Sequence, residues 1–470
     1  MAGKAKKADK ASDTAAPGSS RDFGKAARAA CPRTSHGELG LRDGRRDPVA
    51  LIEQSNRDRL ENLVPVRHGR MMESPFAFYR GTALIQANDL ANTPDSGIVV
   101  QACGDCHLLN FGGFATPERN LIFDLNDFDE THPGPWEWDI KRLAASLVLA
   151  ARWRGFDQVV ARQAVITAIT AYRDAMAGHA DASVLDTWYA RITWDDLRRN
   201  ARSKRTAAKL EAYIAKAQTR TSEHVFNRIT TEEGGRPRIV DEPPVLYHMP
   251  RIKGVDVDTM VAKFLGDYAA TLRDDHRALF ERFEYVDAAI KVVGVGSVGT
   301  RCFVALMLDR TGNPLFLQVK EARPSVLAGY VRQKGARHHG ERIVTGQRLM
   351  QAASDIFLGW TRGPGGRDFY IRQLRDMKVA VEVTQLGVEG LDLYAGLCGR
   401  TLARAHAKAG PAAAIAGYIG GGDAFIDAVA RYGLGYADQV ERDYDAFRIA
   451  VRSGRLACDP IPSALEQQLH

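Results

Sequence analysis

The sequence predicts an α+β fold in which strand-rich sequence is flanked by helical sequence, and three observations lead there. Apolar residues recur at steps of three and four over Trp136 to Arg152 and Leu391 to Ala409, the period of one helix face. Short runs rich in Val, Ile and Leu, bounded by Gly, Pro and Asn turns, cluster between Ile290 and Val383, the pattern of strands. The 470 residues, 45% hydrophobic and 26% charged, suffice for a large core and exclude a disordered polymer, a disulfide miniprotein and a collagen-like repeat.

Met1 to Arg46 holds 11 Lys and Arg against 5 Asp and Glu, so +6 of the chain's +7 lies in a Lys-, Ala- and Ser-rich segment expected to be a solvated tail. Asp47-Pro48 opens a helix through Leu51 and Ile52 that Val64-Pro65 is expected to end. Ile98 to Ala102 suits a buried strand, broken at Gly104, and Asn120 to Asp124 a second. Helix is expected over Trp136 to Arg152, much of Gln158 to Lys216, and Phe264 to Phe283, with a connector at Thr230 to Pro250. Ile290 to Val293, Cys302 to Leu308 and Leu315 to Lys320 are three strands separated by a glycine loop and a Thr311-Gly-Asn-Pro turn. Glu341 to Ala353 follows as a helix, Phe369 to Gln373 and Val379 to Val383 as strands, and Leu391 to Ala409 as a helix stopped by Gly410-Pro411.

No apolar leader segment opens the chain, and Leu143 to Ala151 is far short of the ~20 residues that span a bilayer, so a cytoplasmic protein without membrane contact is expected. The basic segment is expected to solubilise rather than to bind nucleic acid. Six cysteines in so long a chain read as reduced thiols.

Three motifs bear on chemistry. Cys103-Gly-Asp-Cys106-His107 matches haem-attachment, zinc and redox spacings, but haem attachment needs export and zinc needs a second ligand pair, so packing cysteines are the simpler reading. Gly294-x-Gly296-x-x-Gly299 matches a dinucleotide fingerprint, yet strand sequence follows it rather than helix, which suits a glycine hairpin over phosphates. Lys320 ends the third strand, where a phosphate-holding lysine belongs in a kinase-like arrangement, and Glu341 could be its ion-pair partner. The third motif lies upstream: Asp105 and Asn110 share a loop after a strand, and Asp127 follows the next strand. Phosphoryl transfer uses a carboxylate to orient the acceptor hydroxyl, with an Asn and a second Asp as hard oxygen ligands for Mg²⁺.

Gly104-Asp-x-His107-x-x-Asn110, Asp127-Phe-Asp-Glu and Trp138-Asp139-Ile-Lys-Arg-Leu resemble the catalytic half of the aminoglycoside and choline phosphotransferases. From about Asp47 to Gly454 the chain resembles the bacterial family called domain of unknown function 2252, grouped with the kinase-like superfamily. Ser74-Pro-Phe-Ala-Phe-Tyr-Arg80-Gly, Asn110-Phe-Gly-Gly, Val292-Val-Gly-Val-Gly-Ser297-Val-Gly-Thr-Arg301 and Gln318-Val-Lys-Glu-Ala-Arg323 carry that likeness.

The resemblance implies a two-lobed protein-kinase-like fold that takes ATP and Mg²⁺. Asp105 would be the catalytic base, with His107 in its loop and Asp139 bracing that loop. Asn110 and Asp127 would bind metal, and Lys320 with Gly294, Gly296, Ser297 and Gly299 would cradle the nucleotide. Asp124 competes with Asp127, but the spacing from Asp127 to Asp139 is closer to the phosphotransferase pattern. Cys103 stands where those enzymes carry His. The glycine loop also follows the catalytic loop instead of preceding it, which implies a circular permutation with helical additions. The chain then divides into the tail at 1–46, the catalytic-loop region with a helical insertion at 47–240, the nucleotide cradle at 241–388, and helices at 389–470 completing the catalytic-loop lobe. The expected function is ATP- and Mg²⁺-dependent phosphoryl transfer to an acceptor the sequence does not reveal. Nucleotidyl (AMP) transfer and non-catalytic nucleotide binding are the alternatives.

Overall fold

The computed structural model describes residues 17–199, 204, 208, 211–215, 219, 222–249, 257–292, 294–333, 335–374 and 377–459. It is a mixed α+β protein with several antiparallel sheets, and its elements follow the expected order closely.

Five helices come first: α1 (Pro17–Ala30), α2 (Pro48–Asn56), α3 (Val64–Met71), α4 (Pro75–Arg80) and α5 (Ala83–Leu90). Residues 17–46 thus depart from the expectation of a solvated tail, and residues 1–16 lie outside the described residues. The polar composition suggested a solvated tail, but the segment's Ala and Gly permit close helix packing. A Cβ on Gly24 would sit 1.9 Å from the Ala414 carbonyl oxygen, and one on Gly417 would sit 2.2 Å from that of Arg21. Arg45 secures the segment by reaching both Asp89 and Asp443, with Nη2 at 2.7 Å from an oxygen of each. Asp47 caps α2 by accepting from the Val49 amide at 3.0 Å. Val64-Pro65 opens α3 rather than ending the previous helix, because proline in a first turn forfeits no intrahelical hydrogen bond.

The next stretch comprises β1 (Val99–Ala102), β2 (Phe111–Ala115), β3 (Leu121–Leu125), β4 (His132–Pro135), α6 (Trp136–Trp153), α7 (Gln158–Asp181), α8 (Val184–Tyr189), β5 (Ile192–Thr193) and α9 (Trp194–Arg199). β1 pairs with β4, and β2 with β3, both antiparallel. The helix expected over Gln158 to Lys216 is thus divided into three helices as far as Arg199, and Lys216 itself lies outside the described residues.

The strand-rich part holds α10 (Ser222–Ile229), β6 (Thr230–Glu233), β7 (Arg236–Ile239), β8 (Leu246–Tyr247), α11 (Val257–Ala269), α12 (Asp274–Phe280), β9 (Phe283–Lys291), β10 (Cys302–Asp309), β11 (Pro314–Glu321), α13 (His339–Met350), β12 (Gly359–Arg362), β13 (Asp368–Gln373) and β14 (Val379–Ala380). Six of these strands form one antiparallel sheet in the order β12-β13-β11-β10-β9-β8. Alternation along its strands makes two apolar faces. Ala305, Met307, Leu317 and Val319 pack with Tyr268, Leu272 and Phe280, while Val304, Leu306 and Phe316 pack with Ile229 and Leu374. Lys320 stands opposite Tyr370 in the register, so both project from the second face, two residues beyond Gln318 and Arg372.

Three helices complete the chain, α14 (Val388–Ala409), α15 (Ala412–Ile419) and α16 (Ala424–Arg452). α14 lies hard against α7, where a Cβ on Gly399 would meet the Ala168 carbonyl oxygen at 2.0 Å. Among the described residues no helix is long and apolar enough to cross a membrane. All six cysteines are free thiols, and Cys103 and Cys106 are buried, as packing cysteines should be.

Candidate active site

β1 ends at Ala102 and delivers the loop that carries Asp105, His107 and Asn110. Gly104 turns with φ +84°, and a Cβ there would lie 2.1 Å from the Glu130 carbonyl oxygen, so only glycine lets this loop approach the loop after β3. Asp139, in the first turn of α6, accepts from the amides of Cys103 at 2.6 Å and Gly104 at 2.9 Å. Its carboxylate is also 3.1 Å from Nε2 of His406 in α14, whose Nδ1 is 2.9 Å from the Tyr172 hydroxyl. Asp139 is buried and outside the cavity wall: it fixes the loop and touches nothing in the cleft.

Arg142 Nε donates to Asp105 Oδ1 at 2.6 Å, His107 Nε2 lies 3.9 Å from Oδ2, and Asp105 lines the cavity. Burial pushes His107 down to about 4, with Arg80 and Arg142 adding to the effect and Asp105 opposing it, so the imidazole is neutral at physiological pH. The Asn110 amide nitrogen donates to the Asp105 carbonyl, leaving its amide oxygen as the atom a cation would meet.

The loop after β3 places Asp127, Asp129 and Glu130. Burial opposes ionisation of Asp127, but Lys320 and Arg372 override it and hold the carboxyl well below the usual carboxylate range. Lys320, one residue before the end of β11, has Nζ 2.6 Å from Asp129 Oδ2, and its cross-strand neighbour Tyr370 donates to Asp129 Oδ1 at 2.6 Å. Burial disfavours the Lys320 charge, yet Asp127 and Asp129 together keep its ammonium well above its ordinary value. The lysine's partner is thus Asp129, 191 residues upstream, and not Glu341. Glu341 is exposed at the start of α13 because the helix turns its neighbour Arg342 inward, toward the carbonyls of Asp129, Thr131 and Arg323.

Asp124 is likewise no metal ligand in this arrangement. It is fully buried at the end of β3, paired with Arg404 and accepting from the Ala352 amide at 2.8 Å, and it lies outside the cavity wall. The strand alternates, so Asp124 points into the core while Asp127, beyond the strand's end, faces the cleft.

The glycine loop joins β9 to β10 as a hairpin with one short turn at Val295–Ser297, as its sequence context required. Gly294, Gly296 and Ser297 line the cavity, and Ser297 Oγ lies 3.3 Å from Asp129 Oδ2. Gly299 turns away at φ +85° and packs on the Arg59 side chain. These groups share a cavity of about 1090 Å³, walled by Asp105, Asn110, Asp127, Gly294, Gly296 and Lys320 among others. Sequence reasoning missed Asp129, Tyr370 and Arg372 and a set of arginines described below. Asp129 was visible inside the Asp127-Phe-Asp triplet, but only the fold distinguishes its role from that of Asp127.

Among the described residues no three His, Cys, Asp or Glu side chains converge as a metal cluster. The Asn110 and Asp127 pair still fits Mg²⁺, which is commonly held by one or two carboxylates together with substrate phosphates.

Burial in the cavity wall pushes Glu130 up to about 7, although the Val326 amide, 2.7 Å from Oε2, and Arg342 pull the other way. A carboxyl raised on folding stabilises the protein below its ordinary value, and that contribution is lost as pH rises through about 7. Glu130→Gln should therefore gain in melting temperature relative to the parent between pH 5 and pH 8. An offset in thermal denaturation that does not change with pH would exclude this.

The chain belongs to a bacterial family described as "uncharacterized protein conserved in bacteria", domain of unknown function 2252, whose model matches residues 59–450. No curated protein and no solved structure matches it.

Proposed function

We propose that the protein is a kinase-like phosphotransferase that uses ATP and Mg²⁺, with its two lobes in permuted sequence order. One observation carries this reading: Lys320 and the glycine loop, from the six-stranded sheet, line the same cavity as Asp105, Asn110 and Asp127, which come from loops far upstream. A lysine, a backbone hairpin and two hard oxygen ligands form a phosphate-binding set that ordinary turn chemistry would not assemble from such distant segments. Val225, Ile229, Leu374 and Val381 add an apolar part of the wall that suits a nucleobase.

The permutation is supported by the join it predicts. Gly410, just beyond α14, lies so close to Val100 of β1 that a Cβ there would be 2.5 Å from Val100 Cγ1. The helix that would lead into the catalytic loop of an unpermuted chain therefore ends against the strand that carries this loop.

Asp127 and Asn110 would hold Mg²⁺, which when bound would supply positive charge to offset that of the nucleotide's phosphates. Lys320 would hold the phosphates electrostatically, with Asp129 and Tyr370 fixing its position. Asp105 Oδ2 would accept the proton of an acceptor hydroxyl while Arg142 keeps the carboxylate oriented from its other oxygen.

Incubating the full chain with Mg²⁺ and ATP labelled at the α- or the γ-phosphate, with cell metabolites as acceptors, tests the reading. Label from the γ-position on an acceptor is the expected result. Transfer of α-label with AMP would make it a nucleotidyl transferase, and nucleotide binding without either transfer would make it a non-catalytic module.

A further inference from the structure

One part of the cavity wall carries positive charge that the protein does not neutralise. Arg59, Arg67 and Arg323 meet there around the turn that follows α2. Their partners are all neutral oxygens. Arg59 donates to the carbonyls of Ser55, Val298 and Gly296, Arg67 to the Asn56 side chain and the Gly81 carbonyl, and Arg323 to the carbonyls of Ser55 and Arg57. These seven bonds use fewer than half of the fifteen N–H donors that the three guanidiniums carry together, and the buried Arg67 Nε has no partner. Among the described residues no carboxylate forms an ion pair with any of them. The two acids that come nearest electrostatically are committed elsewhere: Glu321 pairs with Arg301 and Arg367, and Glu130 accepts from the Val326 amide.

Burial, reinforced by Arg323, depresses Arg67 to about 10, and burial together with Arg67 and Arg323 depresses Arg59. Arg67 is buried and Arg59 and Arg323 are half-buried, and like charges partly withdrawn from water and held together are costly unless a counter-charge completes them. Cavity walls are where such a counter-charge arrives with a ligand. The apolar cluster here, Leu63, Val66, Val292 and Val298, is separate from the one that includes Ile229 and Leu374 in the part of the wall suited to a base.

We infer that Arg59, Arg67 and Arg323 form an oxyanion subsite that recognises the acceptor, which therefore carries a phosphate or carboxylate group besides the hydroxyl that reacts. The word acceptor rests on the phosphotransferase reading; the oxyanion subsite does not. Arginine suits this task because its planar fork matches both oxyanions bidentately.

Calorimetric titration of the full chain tests it, with inorganic phosphate and with succinate, each in the presence of saturating Mg²⁺ and a non-hydrolysable ATP analogue. At least one anion should bind alongside the nucleotide. Arg323→Gln should weaken it by about tenfold, a loss of about 1.4 kcal/mol, while changing nucleotide affinity less than about twofold. Arg46→Gln alters an exposed arginine on the same wall, bonded to the Gln54 side chain at 2.7 Å, and should weaken the anion by about threefold with little change in stability. Absence of anion binding, or affinity unchanged in both variants, overturns the subsite. Anion binding that competes with the nucleotide assigns the arginines to the nucleotide's own phosphates and overturns the acceptor assignment. If an anion binds through Arg323 but the nucleotide analogue does not bind at all, the subsite stands and the phosphotransferase reading fails.

Discussion

Asp105→Asn should abolish transfer and leave the fold intact, whereas Asp105→Ala should abolish transfer and also destabilise the protein. The two substitutions differ because Asp105 has two jobs at two oxygens. Oδ2 is the oxygen that takes the proton in the proposed reaction, so losing the carboxylate should cost about 10²- to 10⁴-fold in rate. Oδ1 is the anionic partner of Arg142, whose side chain is only 3% exposed. The alanine leaves that guanidinium with Gln86 and the Tyr79 carbonyl alone, and removing one partner of a buried pair typically costs about 3–5 kcal/mol. Asparagine keeps an oxygen for Arg142 Nε. Equilibrium unfolding and nucleotide titration on both variants separate the roles, with nucleotide affinity expected to stay near that of the parent in the asparagine form. Transfer at the parental rate by Asp105→Asn would rule out Asp105 as the base.

Asp124→Ala should be among the most destabilising single substitutions in the chain, by about 3–5 kcal/mol, although Asp124 has no part in the proposed chemistry. Its carboxylate is fully buried, and it satisfies the equally buried Arg404 as well as the amides of Leu125 and Ala352. Arg404 would retain only the Met350 carbonyl among these bonds. Urea unfolding measures the loss. At a temperature where the variant is still folded, Mg²⁺-dependent nucleotide binding should be unchanged, while Asp127→Ala should weaken it and leave stability near the parent's. If the Asp124 variant lost metal dependence and the Asp127 variant kept it, the two assignments would be exchanged.

These two aspartates show what the sequence could and could not convey. The loop from Gly104 to Asn110 was legible because its geometry is local: a left-handed glycine, an Asp and an Asn at fixed spacing after a strand. The hairpin reading of Gly294 to Gly299 was legible for the same reason, since the strand composition of Cys302 to Leu308 excludes a following helix. The partner of Lys320 was not legible, because Asp129 reaches it across 191 residues and through a cross-strand tyrosine. Nor were Arg59, Arg67 and Arg323, three among many basic residues until the fold gathers them. The first helix misled in the opposite direction, because its polar, charged composition read as a solvated tail, whereas its small residues have a partner only once a second small-residue helix is there to receive them.

The ion pair between Lys320 and Asp129 also sets a clock. At about 5–20 residues per second, the ribosome needs roughly 10 to 40 s to pass from one to the other. His406, which braces the loop after β1 through Asp139, emerges later still, and Asp443, which anchors Arg45, later again. For that interval the nascent chain displays two acidic loops, the one after β3 without its lysine and the one after β1 without the histidine behind its brace. The proposed chemistry would thus wait until the ribosome has passed His406, so a truncated product that lacks α13 to α16 should be inert in phosphoryl transfer however well its early helices have formed.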